Sequence, residues 1–315
     1  MAEFSRTVSP GEELEVKIFY STNGNQRSTS WLTPEQTAGK VQPYLFTQCE
    51  DASCRSVAPM MDTPAIRVTY DAQVTAPDSV AVFMSANLTS VRHMTIDNYN
   101  VWDFSNTIPM PNYLIAIAVG DIVYKNIGNR TGVITEPVEI DRVANELDQL
   151  ETFLDTAEDY LTPYIWGNYS ILILPPSFPM GGMENPLLTF ASPTIITGDK
   201  SQVDVAIHEI AHSWTGNEVT CQNWEHFWLN EGFTVFEERK VTARLHGKDF
   251  AKVSALLGNT SMYEDMLAFG LNHPWSSLHP TLKGDNPDDS FSTVPYEKGF
   301  QFLTYLESLV GEDLF

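Results

Sequence analysis

The tightest constraint on the fold is a pentad, His208-Glu209-Ile210-Ala211-His212, answered by Glu231 nineteen positions later. Histidines four apart lie about 40° apart on one face of a helix, close enough to ligate a single metal ion. Glu231 stands in Trp228-Leu229-Asn230-Glu231-Gly232, at the start of a second helical stretch. If it completes the site, two helices must pack so that three side chains meet at one point. Two neutral imidazoles and a carboxylate suit zinc and leave a fourth position open, the layout of a catalytic site. Glu209, about 100° round the helix from His208, can reach a water at that position as general base. The spacing therefore predicts one zinc ion per chain on His208, His212 and Glu231.

The rest of the chain is read around that pair of helices. Residues 13–20 alternate, with Leu14, Val16, Ile18 and Tyr20 on one face, as a half-buried strand should. Similar runs follow at 65–70, 79–85, 94–104, 113–124 and 132–135, separated by turn residues such as Asn23-Gly24-Asn25 and Pro77-Asp78. An antiparallel β domain over residues 1–121 is expected. From Ile140 the apolar positions Val143, Leu147, Leu150, Leu154, Ala157 and Leu161 take up helical period. Residues 171–174 read as a short buried strand. Residues 189–196 read as another, with Gly181-Gly182-Met183-Glu184-Asn185 at the sheet edge. The glycine pair there would let a substrate backbone approach closely, or would form a plain turn. Helix 201–215, with Ser201 as N-cap, carries the histidines, and helix 230–246 ends at Gly247. Glu238 shares a face with Glu231, where it either orients a ligating imidazole or stands solvated. The fold class is α+β, with residues 122–315 as the catalytic domain.

Composition narrows the function. The net charge of −23 disfavours a nucleic-acid partner. Three cysteines argue against a disulfide framework and for a reducing compartment, with Cys49 and Cys54 as free or buried thiols. The first residues hold Glu3, Arg6, Glu12 and Glu13 and no apolar leader, and the apolar run 113–119 is too short to span a bilayer. A cytoplasmic location is expected. His226, His246, His273 and His279 lack ligand spacing to one another and read as structural or surface residues.

The pentad, Glu231 and the Gly-Gly-Met-Glu-Asn stretch together resemble the M1 family of zinc aminopeptidases. The resemblance is nearest to the branch holding leukotriene A4 hydrolase and aminopeptidase B. Pro175-Pro176-Ser177-Phe178-Pro179, His212-Ser213-Trp214-Thr215-Gly216-Asn217 and Val294-Pro295-Tyr296-Glu297-Lys298-Gly299 carry it. The resemblance implies a thermolysin-like catalytic domain behind the β domain and removal of N-terminal residues from peptides with a free N-terminus. It makes Tyr296 the phenol that stabilises the oxyanion and Glu184 the anchor of the α-ammonium. Gly181, Gly182, Met183, Gln48 and Glu50 fall in the substrate site, Glu50 as a second carboxylate for the ammonium. Asp288 matches a carboxylate that leukotriene hydrolases use to direct water at the lipid. A lipid epoxide is thus an alternative or second substrate, although Met180 and Phe291 stand where tyrosines are expected in the vertebrate hydrolases. A zinc-binding fragment without activity is a third reading. Against the family pattern the chain is expected to begin inside the β domain and to stop inside the catalytic domain, without the helical domain that closes the cleft. That would leave an uncovered apolar face near Leu303, Leu306 and Leu309.

Overall fold

The structure is a computed structural model that describes residues 6–94 and 97–315. Seven strands come first: β1 (Thr29–Leu32), β2 (Tyr44–Thr47), β3 (Arg67–Pro77), β4 (Ala81–Met84), β5 (Asn87–Met94), β6 (Tyr99–Pro111) and β7 (Ile117–Gly120). They make two antiparallel sheets, β1-β2-β7-β4 and β3-β6-β5. The third sheet contains β8 (Val123–Asn126), β9 (Thr131–Thr135), β10 (Tyr169–Ile173), β11 (Gly182–Met183) and β12 (Thr189–Ala191), in the order β11-β12-β10-β9-β8. Helices α1 (Ile140–Glu146) and α2 (Leu150–Tyr160) cross from β9 to β10, which run parallel. Every residue of β9 and β10 is buried, as parallel strands covered on both faces must be. The helices α3 (Val205–Ala211), α4 (Trp228–His246), α5 (Lys248–Phe269) and α6 (Gly299–Val310) follow. One core joins α3 and α4 to the sheets, with Phe46, Leu114, Leu154, Ile171, Phe190 and Ile207 at its centre.

The alternation at residues 13–20 does not make a strand: Leu14, Val16, Ile18 and Tyr20 are exposed, and among the described residues no strand pairs with them. A period of two marks a strand only where a neighbour takes up its backbone hydrogen bonds. Strand β5 goes unread in the sequence because it is an edge strand with nearly every side chain exposed, so it carries no apolar face. Residues 95 and 96 of the run 94–104 lie outside the described residues. The run 113–124 divides into a 3-10 turn (Asn112–Leu114), β7 and β8, and the chain passes between sheets at Asp121 and Ile122. The helical run from Ile140 breaks after Glu146, whose carboxylate accepts hydrogen bonds from Gly198 and Lys200 at 3.0 and 2.8 Å. The strand expected over 189–196 stops at Ala191, where Ser192 caps a 3-10 turn that begins with Pro193.

Two further expectations are corrected. Helix α3 starts at Val205 behind Asp204, not behind Ser201, which sits in a turn donating its N–H to Asp199. Cys49 and Cys54 are not free: the chain leaving β2 doubles back over five residues and brings their sulfurs together as a disulfide, with Cα atoms 4.6 Å apart. This removes the free-thiol argument for a reducing compartment; Cys221 alone is free, and buried. Leu303 packs inward, whereas Leu309 and most apolar residues of α5, such as Leu256 and Leu267, are exposed. Among the described residues no helix is long and apolar enough to cross a membrane.

Candidate active site

Helix α3 is held in the core by Ala206, Ile207 and Ile210, none more than 1% exposed, which turns His208 and His212 toward an open cleft. Their Nε2 atoms lie 3.1 Å apart. Glu231, from the first turn of α4, places Oε2 3.4 Å from His208 Nε2 and 3.2 Å from His212 Nε2. Each Nδ1 is committed elsewhere, that of His208 to Glu238 Oε2 and that of His212 to the Thr215 carbonyl, both at 2.9 Å. Carboxylate and carbonyl oxygens only accept, so each Nδ1 carries a proton, and in the neutral imidazoles both Nε2 lone pairs face Glu231. Three ligand atoms lie within 4.8 Å of one another, and the buried carboxylate oxygen among them needs positive charge beside it, from protons on the imidazoles or from a metal ion. The donor set of two imidazoles and one carboxylate fits zinc, and it is the one such group among the described residues.

The surroundings push the same way. Burial alone would lower the His212 pKa, but the charges of Glu184 and Glu231 outweigh it and raise it to about 10. Without a metal ion the positive charge is a proton on the imidazole; a bound metal ion would take the proton's place at Nε2. Behind His212, Thr234 Oγ1 donates to the Thr215 carbonyl at 2.8 Å, and the Thr215 hydroxyl reaches Glu237 at 3.1 Å. Burial lifts the Glu237 carboxyl to about 8, so it is mostly protonated at neutral pH. Glu238 takes the first of its two expected roles, fixing the tautomer of His208.

Glu209 is 5% exposed, and burial raises its carboxyl to about 8. Its Oε2 has no hydrogen-bond partner. The edge strand β11 runs hard against it: a Cβ on Gly182 would lie 2.0 Å from Glu209 Oε1. The adjoining Glu184 is buried, with its carbonyl held by Asn217 Nδ2 at 2.8 Å and its Oε1 3.9 Å from His212 Nδ1 without a hydrogen-bond donor. Glu50 faces the same cleft, its carboxyl raised well above the ordinary range by burial and then by the charge of Glu184. Tyr296 lies in a π-helical turn, Val294–Lys298, with its ring stacked on His208 at 6.0 Å between centroids. Burial holds its phenol well above the usual range, so it remains a donor.

The cleft, of about 480 Å³, is lined by Glu50, Gly181, Gly182, Glu184, His208, Glu209, His212, Glu231 and Tyr296. Gln48 and Met183 stand outside that lining, with Gln48 Nε2 donating to Met183 Sδ at 3.2 Å. Asp288 is not brought into the cleft. It is exposed, ion-paired with Arg27, and borders an adjoining apolar pocket walled by Trp224, Phe227, Trp228 and Trp275. Glu50, Met180 and Phe291 border both spaces. The other histidines have separate partners: His226 stacks on His279, His246 pairs with Asp204, and His273 caps a turn at Trp275. The sequence reading missed Thr234 and Glu237, whose contacts with Thr215 join residues about twenty positions apart. Gly232 and Gly299 did leave a signal, as glycines beside motif residues.

Residues 145–315 match the Peptidase family M1 domain, and residues 1–114 match the Peptidase M1 N-terminal domain. Leucine aminopeptidase 2 of Emericella nidulans is 44% identical over 312 residues, 98% of this chain and 50% of that protein. Leukotriene A-4 hydrolase of Xenopus laevis is 44% identical over 306 residues, 97% of this chain and 50% of that protein. The solved structure of native yeast LTA4 hydrolase superimposes with a TM-score of 0.86 at 40% identity, covering 92% of this chain and 45% of that one. The chain spans about half the length of the curated relatives it matches.

Proposed function

The chain belongs to peptidase family M1, and on that premise we propose that it is a zinc aminopeptidase acting on peptides with a free N-terminus. One observation carries the reading: the lone pairs of His208 and His212 and the buried Oε2 of Glu231 converge beside an unpartnered Glu209. Zinc, when bound there, polarises a peptide carbonyl and acidifies water. Glu209, which burial alone would keep protonated and the positive charge of a bound metal ion would ionise, takes the proton from the attacking water and later hands it to the leaving amine. Tyr296 donates its phenol proton in a hydrogen bond to the oxyanion. Half-buried Glu50 and buried Glu184 both line the cleft and feel each other's charge, so they hold their full charge best with a cation between them. The α-ammonium of a peptide supplies that cation.

A second reading, lipid-epoxide hydrolysis, draws on the apolar pocket next to the cleft and on the names of the hydrolase relatives. The acids Glu50, Glu184, Glu209 and Glu231 lining the cleft count against it, since an anionic lipid would add a like charge to each without supplying a cation. Zinc analysis of the purified chain with aminoacyl-arylamide and lipid-epoxide assays separates the readings. Zinc with arylamide turnover is expected. Zinc without turnover of either substrate would leave a zinc-binding fragment, and epoxide turnover alone would reverse the preference.

A further inference from the structure

Tyr296 depends on a short π-helical turn, a segment looser than an α-helix and in need of pinning. Its chain neighbour Glu297 points the other way, into the space between α4 and α5, and is 8% exposed. There both of its oxygens accept hydrogen bonds from Arg239, Nη1 to Oε2 and Nη2 to Oε1, each at 2.7 Å. Arg239 is 7% exposed, lies over the ring of Phe300, and donates to the hydroxyl and carbonyl of Ser254 at 3.2 Å. Helix α5 leaves room for the pair, because a Cβ on Gly258 would lie 2.1 Å from Glu297 Oε1. Arg239 stands eight residues after Glu231 on α4. One rigid helix therefore supplies a candidate zinc ligand and grips the residue next to the candidate phenol donor. A two-pronged guanidinium–carboxylate contact fixes direction as well as distance, which a single hydrogen bond does not.

We propose that Arg239 and Glu297 are positioning residues for Tyr296, holding its turn so that the phenol faces the point where His208, His212 and Glu231 converge. Neither residue lines the cleft; Glu297 borders a separate pocket behind Tyr296. The inference rests on the aminopeptidase reading for its catalytic consequence, but the placement of the ring can be tested without turnover.

The test is a double-mutant cycle on the full chain. Arg239→Lys keeps the charge and loses the fork; Glu297→Gln, close to isosteric, serves if the lysine variant folds poorly. Either variant should lower kcat on an aminoacyl-arylamide by about tenfold or more, with KM and bound zinc little changed. In a Tyr296→Phe background the same substitution should cost nothing further, because its effect runs through the phenol. Alongside, 3-fluorotyrosine placed at 296 should give a 19F resonance that moves in Arg239→Lys and Glu297→Gln. It should stay put in Lys240→Met, which breaks the neighbouring Lys240–Glu307 pair on the same helix. Additive losses in the cycle, or an unmoved resonance in both variants, would overturn the proposal. A parent chain that binds zinc but turns over no arylamide would overturn the aminopeptidase reading, and the 19F shifts would still decide the placement.

Discussion

Gly232 and Gly299 meet backbone to backbone: a Cβ on Gly232 would lie 2.8 Å from the Gly299 Cα, and one on Gly299 would lie 2.7 Å from the Gly232 Cα. Gly232 follows Glu231, and Gly299 closes the turn that carries Tyr296. The spacing between the ligand helix and the phenol is set by the absence of two side chains. Gly232→Ala must push the elements apart, costing about 1–3 kcal/mol of stability by overpacking. Urea denaturation checks this, and kcat should fall with it.

Glu209→Gln should keep its zinc and lose activity by about a hundredfold or more, the usual effect of removing a general base. Tyr296→Phe should lower kcat more than it raises KM, since the phenol acts on developing charge. Steady-state kinetics with metal analysis test both, and an unchanged kcat in the phenylalanine variant removes Tyr296 from the reaction.

His212→Ala should abolish tight zinc binding by taking away one of three ligands. Glu238→Ala should weaken it by about 10- to 100-fold, because the imidazole of His208 loses the acceptor that fixes its tautomer. Competition with a chelator measures the two affinities; equal affinity in the Glu238 variant and the parent would make that carboxylate a bystander.

Glu50→Gln should reduce kcat/KM for substrates with a free amine and leave bound zinc unchanged. N-acetylated peptides, lacking the cation, should not register the substitution. Identical kinetics on free-amine substrates would show that Glu50 does not hold the ammonium.

Burial raises the Glu237 carboxyl from 4.5 to about 8 in the folded chain. The fold therefore favours the protonated form: the stabilisation is complete below the unfolded pKa and is lost as pH rises through the folded one. Stability should decline from about pH 4.5 to about pH 8 by this contribution. Glu237→Gln keeps the shape without the titration, so it should flatten that part of the decline and become the more stable protein at the alkaline end. Chemical denaturation across the range tests it; parallel pH curves for the two proteins would mean that Glu237 does not titrate there.

The sequence by itself determined what depends on neighbours within one element. The four-residue spacing of His208 and His212 puts both on one helical face whatever surrounds it, and Glu209 follows from the same geometry. The runs at 132–135 and 171–174 are legible, within a residue or two of the strands Thr131–Thr135 and Tyr169–Ile173, because a strand buried on both faces favours apolar or small side chains. Alternation misled at residues 13–20, since it describes a strand's faces and not whether another strand is there to pair with it. Tertiary structure alone decided that Asp288 faces Arg27 and the apolar pocket, that Cys49 finds Cys54, and that Glu238 meets His208. It decided too that Arg239 grips Glu297 next to Tyr296. Those contacts link helices, turns and loops whose relative positions are set by packing around a shared core. No spacing along the chain encodes where two such elements come to rest against each other.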